Sequence, residues 1–510
     1  MKIQTILIIL CFGKEFNESG GGFLESQKFD IVVIGGGVVG TAIARELSKY
    51  KANVGLIEKE SDVGLGASNS NSGVVHSGFT APVGSLKADV CMYGNSHFEE
   101  VCDELDVPFE RVGKLVVALN KKQVAELYNM QYVGSMNGAE LHIVGKDFIK
   151  EKEPFIDGKA AMYSPNSAIT SPYELTIAYA ENAHTNGVDI KLNTEVVEIK
   201  KKNTKFLIET NNGLFETNYV INSAGLFSDF IASFSGEDRY KIYPCRGEYY
   251  VLDKNASDLI SRLVYPVPPE NAGGYGIHLT PTIDGNILIG PSNEYINDVE
   301  NEATTKEVMD QLIKEAQNFL PAINRDLVIR SYSGIRSKIV PPEIGGFTDF
   351  VIEKSPKYDN FINLIGIESP GLTSAPGIAK YVVDIIDKME NLQQDEDYDG
   401  KRDGITKFDQ LTLQKQKELA ESNPNYRDIV CRCENITKQE IIDALKNPLG
   451  VKTLKGVKYR ARATMGRCQG GYCIARIIKI MQEEFGFDVK ELKLESNKSK
   501  LFSGQAKGWE

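Results

Sequence analysis

The sequence predicts an α/β fold: a Rossmann-like, three-layer domain, an inserted α+β domain on the substrate side, and a small helical domain near the C-terminal end. Three observations predict it. A strand, a glycine-rich turn and a helix follow one another from Phe29. Two later strands, ending in small residues near Ala224 and Gly371, return to the same layer after long insertions. Four cysteines gather in two tight pairs between residues 431 and 473.

Phe29-Asp30-Ile31-Val32-Val33-Ile34 is a short apolar run with strand character. Gly35-Gly36-Gly37-Val38-Val39-Gly40 satisfies G-x-G-x-x-G, and Val39, Ala42, Ile43 and Leu47 follow at helical spacing. Asn53 to Ile57 reads as a second strand, and Glu58 lies 18 residues after Gly40. This is a dinucleotide-binding unit with each part in place. Gly35, Gly37 and Gly40 allow a tight turn and close approach of backbone to a pyrophosphate. The helix N-terminus stabilises the phosphate charge, and Glu58 accepts a hydrogen bond from a ribose hydroxyl.

The stretch from Gly64 to Gly78 is rich in small and hydroxyl residues, including Ser68, Asn71, Ser72 and Gly73, and carries His76. A helix over Glu174 to Asn186 and a strand pattern over Asp189 to Lys200, with Val196, lead to Tyr219-Val220-Ile221-Asn222-Ser223-Ala224-Gly225. Phe361 to Ile365 is a further strand, and Gly366 to Thr373 turns into a helix through Gly371, Leu372 and Thr373. Together these stretches resemble the D-amino-acid-oxidase-like superfamily of FAD enzymes over about residues 29–390. The resemblance implies FAD rather than NAD. It makes Ser68, Asn71, Ser72, Gly73, His76, Val196, Ala224, Gly225, Gly371, Leu372 and Thr373 candidate cofactor contacts beside Gly35, Gly37, Gly40 and Glu58. The helix start near Gly371 is then expected against the flavin ring, where its dipole stabilises negative charge.

The cofactor pieces, about 29–80, 171–230 and 361–388, are separated by about 81–170 and 240–335, which read as the substrate part. His278, at a strand end in Gly276-Ile277-His278-Leu279-Thr280-Pro281, is the candidate general base. The resemblance places the matching segment against the flavin. It also places an arginine at the Gly334-Ile335-Arg336 step against an anionic substrate group, and a guanidinium fork suits a carboxylate or phosphate. Arg246 is a second candidate anchor and Lys338 a lesser one. His97, His142 and His184 read as structural.

Residues 391–427 have the polar composition of a linker. Beyond it stand Cys431-Arg432-Cys433, then 34 residues, then Cys468-Gln469-Gly470-Gly471-Tyr472-Cys473. Four thiolates suit an iron–sulfur cluster, structural zinc or redox chemistry, although C-x-C is unusual for zinc. The flanking Ile429-Val430-Cys431-Arg432-Cys433-Glu434-Asn435 and Thr464-Met465-Gly466-Arg467-Cys468 resemble the bacterioferritin-associated-ferredoxin-like (BFD-like) [2Fe-2S] module. That resemblance implies a cluster on Cys431, Cys433, Cys468 and Cys473 in a domain over 428–486, followed by a polar tail at 487–510. Residues 451–480 hold eight basic residues and no acid. This run is expected either to stabilise an anionic cluster or to dock an acidic partner.

The net charge of −12 argues against general nucleic-acid affinity. Cys11, Cys91, Cys102 and Cys245 show no pairing pattern and read as reduced thiols of a cytoplasmic or organellar-matrix protein. Residues 1–28 form an extension whose apolar Thr5–Phe12 stretch is too short to span a bilayer. Membrane contact is expected to be peripheral at most.

Two subgroups of the superfamily match. The flavin subunit of anaerobic glycerol-3-phosphate dehydrogenase carries a cysteine module of this type. L-2-hydroxyglutarate dehydrogenase has a loop resembling Asn71-Ser72-Gly73-Val74-Val75-His76-Ser77-Gly78, generally without that module. The resemblance implies oxidation of a small anionic secondary alcohol, foremost sn-glycerol 3-phosphate, with electrons leaving through a cluster to a partner subunit or quinone. A 2-hydroxy acid dehydrogenase and an oxygen-using amine or amino-acid oxidase are the alternatives.

Overall fold

The computed structural model describes residues 26–268, 276–496 and 498–504. The reading of residues 1–28, including Cys11, falls almost wholly outside them. Among the described residues no helix is long and apolar enough to cross a membrane.

Gln27–Ile34 is a central strand of an eight-stranded sheet. Val54–Ile57 and Gly213–Asn222 flank it in parallel, and Asp189–Lys191 and Phe361–Ile365 extend the parallel set outward. Strand alternation places Ile31 and Val33 on one face and Val32 and Ile34 on the other. The helices Val38–Leu47, Leu86–Glu104, Pro172–Thr185 and Gly371–Glu390 bury the first face. The antiparallel strands Val196–Lys202 and Lys205–Thr210, with the helix Ser228–Ser233, cover the second. These are the three layers that the sequence predicts. The pattern over 189–200 is not one strand, however. Asn193 takes a left-handed φ of +54°, which breaks the run between Asp189–Lys191 and Val196–Lys202.

The inserted segments build one nine-stranded sheet. Its longest pairing joins Tyr243–Leu252 to Val328–Lys338, with Cys245 opposite Arg336 and Gly247 opposite Gly334. The apolar face of helix Lys306–Ala316 (Met309, Leu312, Ile313, Ala316) closes its core.

The C-terminal domain pairs Ile429–Cys431 with Ile436–Thr437 and packs helices Lys438–Leu445, Leu454–Ala461 and Ile474–Phe485 around one core. A capping box between Thr437 and Glu440 starts the first helix. The segment 487–504 is less of a free tail than its composition implies: Leu492 is buried and Leu501 packs on the helical core.

The connector also departs from the linker reading. Gln394 bridges to Tyr50, Arg45 donates to Gly400 O at 3.0 Å, and Asn182 Nδ2 donates to Asp399 O and Lys401 O at 3.0 and 3.1 Å. The connector's carbonyls are thus satisfied by side chains of the first domain, which lays it along that domain's surface. The basic run is likewise not an open face. Arg460, buried, pairs with Asp62 at 2.5 Å and Glu181 at 3.2 Å. Arg462 pairs with Asp284 and, at 2.7 Å, with Glu434, and Arg467 reaches Asp253 at 3.0 Å. The pairs with Asp62, Glu181, Asp284 and Asp253 fasten the C-terminal domain to the rest of the chain, while Glu434 braces Arg462 from within it.

Candidate active site

A cavity of about 1020 Å³ runs from the glycine turn to the face of the nine-stranded sheet. At its nucleotide end Gly35 adopts φ +109°, and a Cβ there would come within 2.6 Å of Ser223 O. Gly40 stands behind the wall, where a Cβ would lie 1.9 Å from Gly35 O. Gly40→Ala is therefore expected to force helix and turn apart, costing about 1–3 kcal/mol. Flavin content per chain, read from absorbance after purification, should fall well below that of the unaltered protein. Full occupancy would show that the turn tolerates the methyl.

Gly37 caps the helix Val38–Leu47, and Val38 N donates to Ser68 Oγ at 2.9 Å. Glu58 accepts from Gly36 N at 2.6 Å and Glu60 N at 2.8 Å, although burial raises its pKa. Val196, Ala224 and Gly225 line the same end.

The loop between the domains is pinned by its own side chains. Asn71 Nδ2 donates to Ser68 O at 2.9 Å, and Asn71 Oδ1 accepts from Gly73 N at 2.9 Å. Gly73 needs its φ of +67°, since a Cβ would meet Thr170 O at 2.4 Å. His76 N donates to Thr373 Oγ1 at 2.9 Å, which ties the loop to the helix Gly371–Glu390. Asn71, Ser72, His76, Gly371 and Leu372 face the cavity. Gly73 and Thr373 do not; they hold the groups that do. Two helix N-termini and a turn too tight for any side chain thus converge on one cavity, with the Glu58 carboxylate beside the turn. These residues fit FAD.

At the other end His278 is buried, and Nδ1 lies 2.9 Å from Gly276 O. A carbonyl only accepts, so Nδ1 carries the hydrogen and Nε2 the lone pair. Its ring stacks on Tyr265 at 3.7 Å, and burial pushes its pKa down to about 3. His76 is also held well below the usual range, by burial and then by Lys114. Both imidazoles are neutral in this cavity. Arg336 lines it too, with Nη1 donating to Asn293 Oδ1 at 2.9 Å and Nη2 to Ser292 O at 2.8 Å.

Arg246 is corrected. It lies on the opposite face of its strand from Cys245 and Gly247, where it pairs with Glu294 at 2.7 Å and Glu248 at 3.2 Å. It does not line the cavity and is no substrate anchor. Lys338 lines the wall but pairs with Glu368 at 3.2 Å. His97, His142 and His184 lie outside the cavity.

One residue that sequence reasoning missed is Lys114. It is buried on the strand Lys114–Ala118, 4.2 Å over the Tyr265 ring and 3.4 Å from His76 Nδ1. The available signal was a single charge at the head of the apolar run Leu115-Val116-Val117-Ala118.

The four C-terminal cysteines come together. Cys473 donates to Cys431, and this bond, then the N–H groups of Thr464, Glu434 and Cys433, draw the Cys431 pKa down to about 6. Cys433 likewise donates to Cys468, whose pKa is lowered first by the Tyr472 N–H. Among the described residues no three His, Cys, Asp or Glu side chains converge as a single-ion site. Two thiol pairs, each met by backbone N–H groups, suit a two-iron cluster better than one tetrahedral zinc.

Residues 30–385 match the FAD dependent oxidoreductase family. The chain belongs to that family. Residues 429–483 match the BFD-like [2Fe-2S] binding domain. A relative named glycerol 3-phosphate dehydrogenase, from Caloramator mitchellensis, is 40% identical over 94% of this chain and 99% of its own. A mitochondrial L-2-hydroxyglutarate dehydrogenase from Nematostella vectensis is 30% identical over 70% of this chain and 90% of its own. Among solved structures, dithionite-reduced L-alpha-glycerophosphate oxidase from Mycoplasma pneumoniae with FAD bound superposes with a TM-score of 0.69 at 28% identity. The superposition covers 74% of this chain and 98% of that one. This FAD-dependent oxidoreductase therefore takes FAD in its first domain and a [2Fe-2S] cluster in its last.

Proposed function

We propose that this oxidoreductase converts sn-glycerol 3-phosphate to dihydroxyacetone phosphate, with the electrons leaving through the [2Fe-2S] domain to a partner protein or quinone. The observation that carries the reading is the set of groups in one cavity: the Arg336 guanidinium near two neutral imidazoles, half-buried His76 and buried His278. A cationic fork beside a proton acceptor fits a small anionic alcohol. The choice of glycerol 3-phosphate is supported by the glycerol 3-phosphate dehydrogenase relative. It matches the cluster domain as well as the FAD domain, whereas the 2-hydroxyglutarate enzyme matches a shorter share.

Bound FAD supplies a two-electron oxidant and the cluster a one-electron carrier. The protein's own residues do the rest. Arg336, oriented by Asn293 and the Ser292 carbonyl, holds the phosphate. An imidazole of the His76/His278 pair accepts the proton of the secondary alcohol. Tyr265, stacked on His278, keeps water from one side of that pair.

Anaerobic titration of the cluster-loaded protein with glycerol 3-phosphate tests the reading. Stoichiometric bleaching of the visible flavin band, followed by the reduced-cluster EPR signal, is expected. Bleaching by L-2-hydroxyglutarate and not by glycerol 3-phosphate would overturn the substrate.

A further inference from the structure

Two imidazoles face the cavity, and what stands behind each of them differs. Behind His278 Nδ1 is the Gly276 carbonyl, which accepts a hydrogen bond and takes up no proton. Behind His76 Nδ1, at 3.4 Å, is the amine of Lys114. Among the described residues no carboxylate pairs with this lysine; the groups around it are the His76 and His278 rings, the Cys91 thiol and the faces of Tyr265 and Phe79. Lys87 and Arg336 are the further cations of this region, facing Cys91 and His278 respectively.

We propose that His76 is the imidazole that takes the substrate proton, and that Lys114 is its positioning and proton-relay partner, receiving the Nδ1 proton as Nε2 gains one. The inference rests on the alcohol-oxidising reading above. The step moves one proton along the chain and no electrons. The alcohol O–H breaks and an N–H forms at His76 Nε2. The His76 Nδ1–H breaks and an N–H forms at Lys114 Nζ. Imidazole ends neutral, and the positive charge ends on the lysine.

The surroundings suit that transfer. An imidazolium desolvated beside other cations is costly, which is why burial and Lys114 hold the His76 pKa well below its usual value. An ammonium at Lys114 sits 4.2 Å over the Tyr265 ring and 5.3 Å from the Phe79 ring, and both faces attract it. Burial lowers the Lys114 pKa to about 7, so that near neutral pH the amine is available in both forms. The relay also fixes a tautomer. The ammonium donates to Nδ1 and leaves the hydrogen on Nε2, a form that cannot accept the substrate proton. The free amine accepts from Nδ1–H and leaves the lone pair on Nε2. Activity should therefore rise as Lys114 loses its proton.

The experiment compares the unaltered holoenzyme with Lys114→Met, Lys114→Gln and His76→Asn. The rate of anaerobic flavin bleaching by glycerol 3-phosphate should fall about tenfold per pH unit below the lysine's pKa in the unaltered protein. In both Lys114 variants it should be flat across that range and about 10–100-fold slower at pH 8. Their Michaelis constant and flavin content should stay close to normal. Independently of any substrate, nitrogen NMR of labelled histidine should show His76 passing from the Nε2–H to the Nδ1–H tautomer as pH rises. The Lys114 variants should lack that passage.

A normal pH profile in both Lys114 variants, with His76→Asn slowed, overturns the relay and leaves His76 as the base. Normal rates in His76→Asn overturn both parts. Should glycerol 3-phosphate fail to bleach the unaltered protein, the substrate reading falls, and the NMR result still decides the relay: a tautomer passage that persists in Lys114→Met overturns it.

Discussion

Arg336→Ala is expected to lower kcat/KM for glycerol 3-phosphate by about 10²–10³-fold, since losing a charge-assisted bond to a desolvated anion costs about 2–5 kcal/mol. Most of the loss should fall on KM, because the phosphate stays charged throughout the reaction and binds ground state and transition state alike. The geometry makes the arginine hard to replace. Asn293 and the Ser292 carbonyl fix the plane of the guanidinium, and Gly247 beneath it leaves only 2.5 Å between a notional Cβ and Nη2. Arg336→Lys should recover part of the binding and none of the bidentate geometry. Steady-state kinetics with intact flavin content check both variants. Unchanged kcat and KM in Arg336→Ala would remove the residue from the anchor role.

The second large effect is on stability. Arg460→Ala should destabilise the chain by about 3–5 kcal/mol, because Asp62, at 1% side-chain exposure, would keep its charge in a buried interface without an ion-pair partner, and Glu181 would retain only Arg402. Arg460→Met together with Asp62→Leu should lose much less, since a well-packed apolar pair replaces both charges. Urea unfolding followed by intrinsic fluorescence and by cluster absorbance distinguishes the two. Arg460→Ala should separate the transitions, with the cluster signal lost first. Coincident, unshifted transitions would show that the pair contributes little.

The cofactor half of this fold is legible because its requirements are local. Gly35 and Gly40 are glycines on account of backbone atoms a few ångströms away, and the strand, turn, helix and acid that frame them lie within thirty residues. The cysteine pairs are legible for the same reason. The sequence around Arg246 does not show its face, because that face is set by a partner far along the chain. Only the register that puts Cys245 opposite Arg336 shows which side of the strand meets the cavity. Lys114 carries no local signature, because its meaning depends on His76, 38 residues earlier, arriving beside it. The connector's docking is not legible because composition reports what a segment lacks, an apolar core of its own. It does not report that Arg45 and Asn182 stand ready to bind the connector's carbonyls.

That connector has a mechanical consequence. A tethered carrier domain swings, and its delivery rate depends on solvent viscosity and tether length. Here residues 394–407 adhere along the first domain, and the buried Arg460 clamps the last one. The C-terminal domain is a fixture with one address. Viscogens and short glycine insertions in the exposed helix Leu413–Ser422 should leave its position untouched, and moderate salt, which screens only exposed charge, should not release it.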